Sequence, residues 1–521
     1  MHLNDARGLA QSLSELLKDA HQTLEGARET PELVAWVTGH LGCELNAVVN
    51  VVSRFPGWEH VNLQRGVDAY LAAHTPDAEW FGIAGQGREH EDFINMLASA
   101  AKGWSSFEPG AVDYATAAIG PDETTEVVSF GLVLTVSPDG GPVVLGLRGA
   151  QEHQAPQCQI VVLAPDRSSA TRTRDEIERL TRELDLYRGQ ILSFTWSEHR
   201  GNDLVTFLPR PGLTADQVIL PDGVLATIER HIIGIAEHAV RLREHGQHLK
   251  RGLLLHGPPG TGKTHTVRYL MGRMSDCTVI VVTGTAIRFV SQAAGLARRL
   301  QPAIVVLEDV DLIAQDRSFT DDGNPLLFSL LDAMDGVGAD ADVTFVLTTN
   351  RADVLERALA DRPGRVDLAV EIPKPDEAGR AALLRLYARD LRLEADLGPV
   401  VAKTEGATAS FFKELLRRAV LDALRAGEGE PVLTDEHLGR ALEEMLTQRE
   451  ALTRSLLGSG RPVMSEDEQY AGGPPYDEDP DDDGEPGQGS YGGQFGVPFP
   501  QPAPGFPGGA PSGGFIGFYE P

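Results

Sequence analysis

The chain has 521 residues, 41% of them hydrophobic, and a formal net charge of −30. One core does not extend over such a length, so about two to four domains are expected, and the acidity argues against a general nucleic-acid binder, whose surface would meet phosphate with Lys and Arg. Cys43, Cys158 and Cys277 are far apart and not in metal-ligand spacing, which fits a reducing compartment and leaves no case for a zinc site or a disulfide frame.

Met1-His2-Leu3-Asn4-Asp5 lacks the basic-then-apolar pattern of a leader, and no apolar run approaches ~18–20 residues, so a soluble cytoplasmic chain without a membrane span is expected. From 1 to 108 apolar residues recur at helical spacing (Leu9, Leu13, Leu16, Leu17; Leu33, Val34, Trp36, Val37, Leu41), predicting a helical N-terminal region. Residues 109–210 change to short strand-like runs at 127–134 and 159–163, broken by Pro138-Asp139-Gly140-Gly141, and predict a small α+β domain. Its Trp196, His199 and Arg200 read as packing or surface residues rather than a site.

An amphipathic helix is predicted over 223–246. Strand candidates follow at 253–255, 279–282, 303–307, 343–347 and 368–372, separated by helical stretches, and this pattern indicates an α/β domain over 211–375 with a parallel sheet covered on both faces. Three helical patterns fill a lid at 376–455, the last with Thr434 as N-cap and acids in its first turn. Residues 456–521 predict a disordered tail, acidic and then rich in Gly, Pro and Phe: the last 60 residues hold eleven acids and neither Lys nor Arg.

Gly257-Pro258-Pro259-Gly260-Thr261-Gly262-Lys263-Thr264 follows the strand candidate directly. The spacing has a mechanical reason: the glycines let backbone N–H groups curl round phosphate oxygens, Lys263 reaches the β/γ-phosphates, and the Thr264 hydroxyl ligates Mg²⁺. Ile304-Val305-Val306-Leu307 ends in Glu308-Asp309, where a nucleotide-hydrolysing enzyme needs one carboxylate for the metal and one for the attacking water. Glu308 is assigned to the metal and Asp309 to the water. Thr348-Thr349-Asn350 places an amide where it could touch the γ-phosphate or that water. Arg362 and Arg365, around Pro363-Gly364, form a rigid cationic outpost that a neighbouring molecule could use. Asn350-Arg351-Ala352-Asp353 also loosely matches the Asn-Lys-x-Asp of GTPases, but its place before the arginine pair favours ATP.

Together these residues, with 331–336 and 349–353, resemble the AAA+ ATPases, in particular the AAA branch with the second region of homology, over residues 215–450. The resemblance implies a P-loop fold with a helical lid, ATP and Mg²⁺ as cofactors, and a homo-oligomeric ring, usually a hexamer, with ATP between subunits. It implies that Asn350 is the first sensor and that Arg362 and Arg365 are fingers acting in trans. Leu307-Glu308-Asp309-Val310-Asp311 looks most like the mitochondrial translocase that handles the folded Rieske protein, and its bacterial relatives. No aromatic-aliphatic-Gly pore motif occurs between Gly284 and Glu308, Phe289-Val290 being nearest, and Thr408-Ala409-Ser410 stands where the family commonly has Ser-Gly-Ala. No His-Glu-x-x-His of a fused zinc protease is present, since His90-Glu91 leads to Ile94. The expected function is ATP hydrolysis that remodels or translocates a protein client, with a slowly hydrolysing, nucleotide-gated assembly scaffold as the alternative.

Overall fold

The computed structural model describes residues 30–88, 90–150, 157–194, 205–311, 325–351, 365–426 and 430–447. Leu9–Leu17, Trp196, His199, Arg200, Arg362 and the tail from 456 lie outside the described residues.

The first domain is an antiparallel sheet between two helical layers. Its strands are β1 (Val49–Pro56), β2 (Trp80–Ala84), β3 (Glu108–Gly110), β4 (Asp113–Ala118), β5 (Thr124–Val136), β6 (Pro142–Arg148) and β7 (Gln157–Ala164), in the order β1-β7-β6-β5-β2-β3, with β4 on β5. Helices α1 (Glu32–Leu41) and α3 (Phe93–Ala101) cover one face through Val37, Phe93, Met96, Val144 and Leu163. Helices α2 (His60–His74) and α4 (Arg167–Glu183) cover the other through Val67, Tyr70, Ile177, Leu145 and Val162. Neighbours Val144 and Leu145 thus enter opposite cores, because side chains alternate along a strand. The boundary expected at 108 is therefore absent. β1 and β2, from the stretch read as helical, pair with β7 and β5, which lie beyond it.

The second sheet has the order β14-β10-β13-β12-β11-β8-β9. Its parallel part comprises β8 (Ile191–Phe194), β10 (Arg251–His256), β11 (Thr278–Val282), β12 (Ala303–Leu307), β13 (Val343–Thr349) and β14 (Leu368–Glu371). β9 (Val205–Leu208) closes one edge antiparallel to β8. This sheet therefore starts at Ile191, inside the stretch assigned to the α+β domain, and not at 211. The central strands are buried on both faces. Val305 and Leu307 pack with α8 (Val290–Arg299) and α9 (Pro325–Asp335), while Ile304 and Val306 share the opposite core with α5 (Val224–Glu237) and α7 (Lys263–Arg273). The helix predicted over 223–246 is broken at His238, with α6 (Ala239–Glu244) beyond it.

The lid has four described helices rather than three: α10 (Glu377–Ala388), α11 (Gly398–Lys403), α12 (Ala409–Ala426) and α13 (Asp435–Leu446). They enclose Leu384, Phe411, Phe412, Leu415 and Leu442 beside the short pair β15 (Arg392–Glu394) and β16 (Val432–Thr434). Thr434 caps α13, with Asp435 and Glu436 in its first turn.

Candidate functional site

Six residues join the end of β10 to Lys263, the first residue of α7. Gly257, Gly260 and Gly262 have φ of +141°, +73° and +110°, a region that side chains rarely adopt. A Cβ at 257 would lie 2.3 Å from the Ile372 carbonyl oxygen, and one at 260 would lie 2.8 Å from Ser410 Oγ. The loop is thus glycine where other backbone and the lid press on it. Ser410 N–H donates to Gly260 O at 3.3 Å, so Thr408-Ala409-Ser410 brings α12 of the lid onto the phosphate loop. Thr261 Oγ1 donates to Pro258 O at 2.9 Å and tightens the turn.

Lys263 is buried. Its Nζ donates to Gly257 O and Pro258 O, each at 2.9 Å, and to Asn350 Oδ1 at 2.8 Å. Burial lowers the ammonium pKa, and the charges of Asp309 and Asp311 oppose that shift.

β12 lies between β11 and β13, and its end delivers the two acids to the same place. Burial pushes the Glu308 carboxyl up and the charge of Asp309 adds to this, while a hydrogen bond from the Thr264 hydroxyl and the charge of Arg268 pull it down. Asp309 is exposed and has φ +51°, an uncommon conformation for a residue with a side chain. Its N–H donates to Thr348 Oγ1 at 3.0 Å, and its Oδ1 accepts from Asn350 Nδ2 at 3.4 Å.

The Asn350 amide therefore spans a cation and an acid, its oxygen on Lys263 and its nitrogen toward Asp309. This contact lies at the phosphate end of the site rather than where a base would be read, which favours the ATP reading of Asn350-Arg351-Ala352-Asp353 over the GTPase match.

Residues 253–374 match the family model described as "ATPase family associated with various cellular activities (AAA)". They form an AAA ATPase domain. The chain is 32% identical over 279 residues to the ATP-dependent zinc metalloprotease FtsH 3 of Sphaerobacter thermophilus, covering 51% of this chain and 56% of that protein. It is 32% identical over 223 residues to a 26S proteasome regulatory subunit 8 homolog of Schizosaccharomyces pombe, covering 40% of this chain and 54% of that one. It is also 32% identical over 215 residues to the proteasome-activating nucleotidase of Methanocaldococcus jannaschii, covering 38% and 49%. The chain thus spans about half the length of the curated relatives it matches.

The AAA domain brings together Gly257 through Thr264, Glu308, Asp309 and Asn350 of the residues singled out in the sequence. It does not bring Arg365 to them. Arg365 is buried, with Nε on Asp335 Oδ1 at 3.1 Å and Nη2 on Asp335 Oδ2 at 2.8 Å, and its carbonyl oxygen would lie 1.9 Å from a Cβ at Gly252. Within a single chain the guanidinium held this way acts as a strut, and a finger role toward a neighbouring subunit would require it to leave Asp335. Val290, half of the nearest pore candidate, is 1% exposed in the core, and Phe289 packs half-buried against the same cluster.

Sequence reasoning quoted Thr348, Asp311 and Ser410 within motifs but gave none of them a part in this arrangement. Asp311 alone had a legible signal: a third acid directly after the Glu308-Asp309 pair, with only Val310 between them. The others reach the site through pairings between distant segments.

Proposed function

We propose that the protein hydrolyses ATP between the subunits of a homo-oligomeric ring, a hexamer by family resemblance, and uses the cycle to remodel or translocate a protein client. The observation that carries the reading is the Asn350 amide shared by Lys263 and Asp309. The donor set fits Mg²⁺: a hydroxyl and a carboxylate are hard oxygen ligands, and Thr264 and Glu308 would hold it. When bound, the ion supplies charge neutralisation on the β- and γ-oxygens. Lys263 binds the same phosphates, Asp309 orients the attacking water and takes its proton, and Asn350 holds the water and the γ-phosphate in register. Arg362 is the proposed finger to the neighbouring subunit's site.

The FtsH relative is a zinc metalloprotease by name, but this chain lacks His-Glu-x-x-His, and the proposal leaves proteolysis out. Burial of Val290 favours client handling by domain motion over threading through a central loop. Among the described residues no helix is long and apolar enough to cross a membrane. A cytoplasmic location is proposed with the rest, and nucleic acid is not a proposed partner. The Glu308-Asp309 order, inverted from the Asp-Glu usual in such enzymes, supports a second reading, a nucleotide-gated scaffold with slow turnover. Lys263→Ala should lose nucleotide binding, whereas Asp309→Asn should bind ATP, hydrolyse it far more slowly and retain clients in a pull-down. Unchanged ATP affinity in Lys263→Ala would sink the site, and turnover that no captured client stimulates would favour the scaffold.

A further inference from the structure

We infer that Asp311, to which no role is assigned above, is a positioning residue that aims both Asn350 and Asp309; the inference rests on the ATPase reading. Asp311 is 5% exposed, and a single oxygen, Oδ1, accepts from Thr349 Oγ1 at 3.0 Å and from the Asn350 backbone N–H at 3.1 Å. Thr349 Oγ1 in turn accepts from Arg351 N–H at 3.0 Å, so the last residue of β13 and the two that follow it are tied in one chain of bonds.

Two further bonds run the other way. Asp309 N–H donates to Thr348 Oγ1 at 3.0 Å and Val310 N–H to Thr348 O at 3.0 Å. The turn 308–311 and the strand end 348–350 thus clasp each other at four points.

A residue just past a strand end has lost its ladder partners and would ordinarily swing. Here the clasp fixes the Asn350 backbone, so its amide can meet Lys263 and Asp309 at once, and it holds Asp309 at φ +51°. A misplacement of about 1 Å at such a site costs on the order of 10²-fold in rate. Because both bonds end on one oxygen, an amide oxygen at position 311 can accept both, though more weakly than a carboxylate. The acceptor is the positioning feature, and the charge of Asp311 acts separately on Lys263.

The test compares Asp311→Asn, Asp311→Ala, Asn350→Ala and the double variant Asp311→Ala/Asn350→Ala in the full chain. The readouts are ATP turnover, affinity for a fluorescent ATP analogue, and hydrogen exchange at the Asn350 amide without nucleotide. Asp311→Ala should lower kcat by about 10–100-fold while affinity changes little. Asp311→Asn should restore most of kcat, the double variant should be no slower than Asn350→Ala, and exchange at Asn350 should quicken only in Asp311→Ala. If Asp311→Asn is as slow as Asp311→Ala, or the two losses multiply, or exchange at Asn350 is unmoved, the proposal is overturned. Should Asp311→Ala not fold, Thr349→Val removes one donor in an isosteric side chain, and an unaltered kcat there would overturn it too. Absence of turnover in the parent would refute the ATPase reading instead, and the exchange comparison would still decide the clasp.

Discussion

Replacing Arg365 by Ala should weaken the fold of a single chain before it affects any neighbour. The Arg365 side chain is 7% exposed and grips Asp335, 40% exposed, through two parallel bonds. The hydrogen bonds to Asp335 hold its guanidinium pKa up. Breaking a fully buried pair from one side costs about 3–5 kcal/mol, and an exposed pair contributes about 0.2–1 kcal/mol. Asp335 can be rehydrated once its partner is gone, which places the loss between these limits, at about 2 kcal/mol, part of it from the packed arginine stem. Denaturant midpoints at concentrations too low for assembly measure it. Asp335→Asn should show a similar loss, and the double variant little more than either alone. In mixing experiments with Lys263→Ala, activity should return for Arg362→Ala, whose partner supplies the finger, but not for Arg365→Ala. Unaltered stability in Arg365→Ala together with recovery on mixing would refute the strut and show that Arg365 leaves Asp335 on assembly.

Three other outcomes follow from contacts outside the reacting groups. Arg299, at the end of α8, pairs with Glu59 at 2.7 Å and Asp185 at 2.8 Å, joining the first domain to the AAA domain. Arg299→Ala should cost about 3 kcal/mol by stranding these buried acids, discounted because Arg299 is itself 34% exposed. Burial holds the Glu59 pKa up, so its ionised form opposes folding and the deficit of that variant should shrink on acidification; a deficit that grows would contradict this. In the lid, hydrogen bonds from Arg417 and then Arg418 hold the Glu414 carboxyl down at about 2. Its stabilisation is complete above the ordinary value of 4.5 and lost as pH falls through about 2, so Glu414→Gln should flatten the acid dependence of lid unfolding in that window, and an unchanged profile would argue against the pair. Gly260→Ala meets both φ +73° and Ser410 Oγ at 2.8 Å, so it should cost about 1–3 kcal/mol and weaken ATP binding, as titration with labelled nucleotide would show.

The phosphate loop, the acid pair and the doubly buried strands of the AAA domain were legible because their signals are local: glycines at fixed spacing, and apolar runs such as Ile304-Val305-Val306-Leu307 that fill both cores. The same local signals were poor guides to domain limits. Val49–Pro56 alternates between half-buried and exposed residues because it is an edge strand, and its short runs carry little that separates it from the helices on either side. Ile191–Phe194 reads as a strand in either domain; only its parallel register with Thr278–Val282 assigns it.

By itself the sequence determined what each segment can become and which chemistry the loop and the acids can perform. The tertiary structure decided which charges face each other. Arg365 meets Asp335 across 30 positions, Asp311 meets Asn350 across 39, and Ser410 meets Gly260 across 150. The physical reason is that periodicity and motif spacing record the backbone's local geometry, whereas the choice between an arginine turned outward as a finger and one buried as a strut depends on which carboxylate the packed sheet and helices bring within reach.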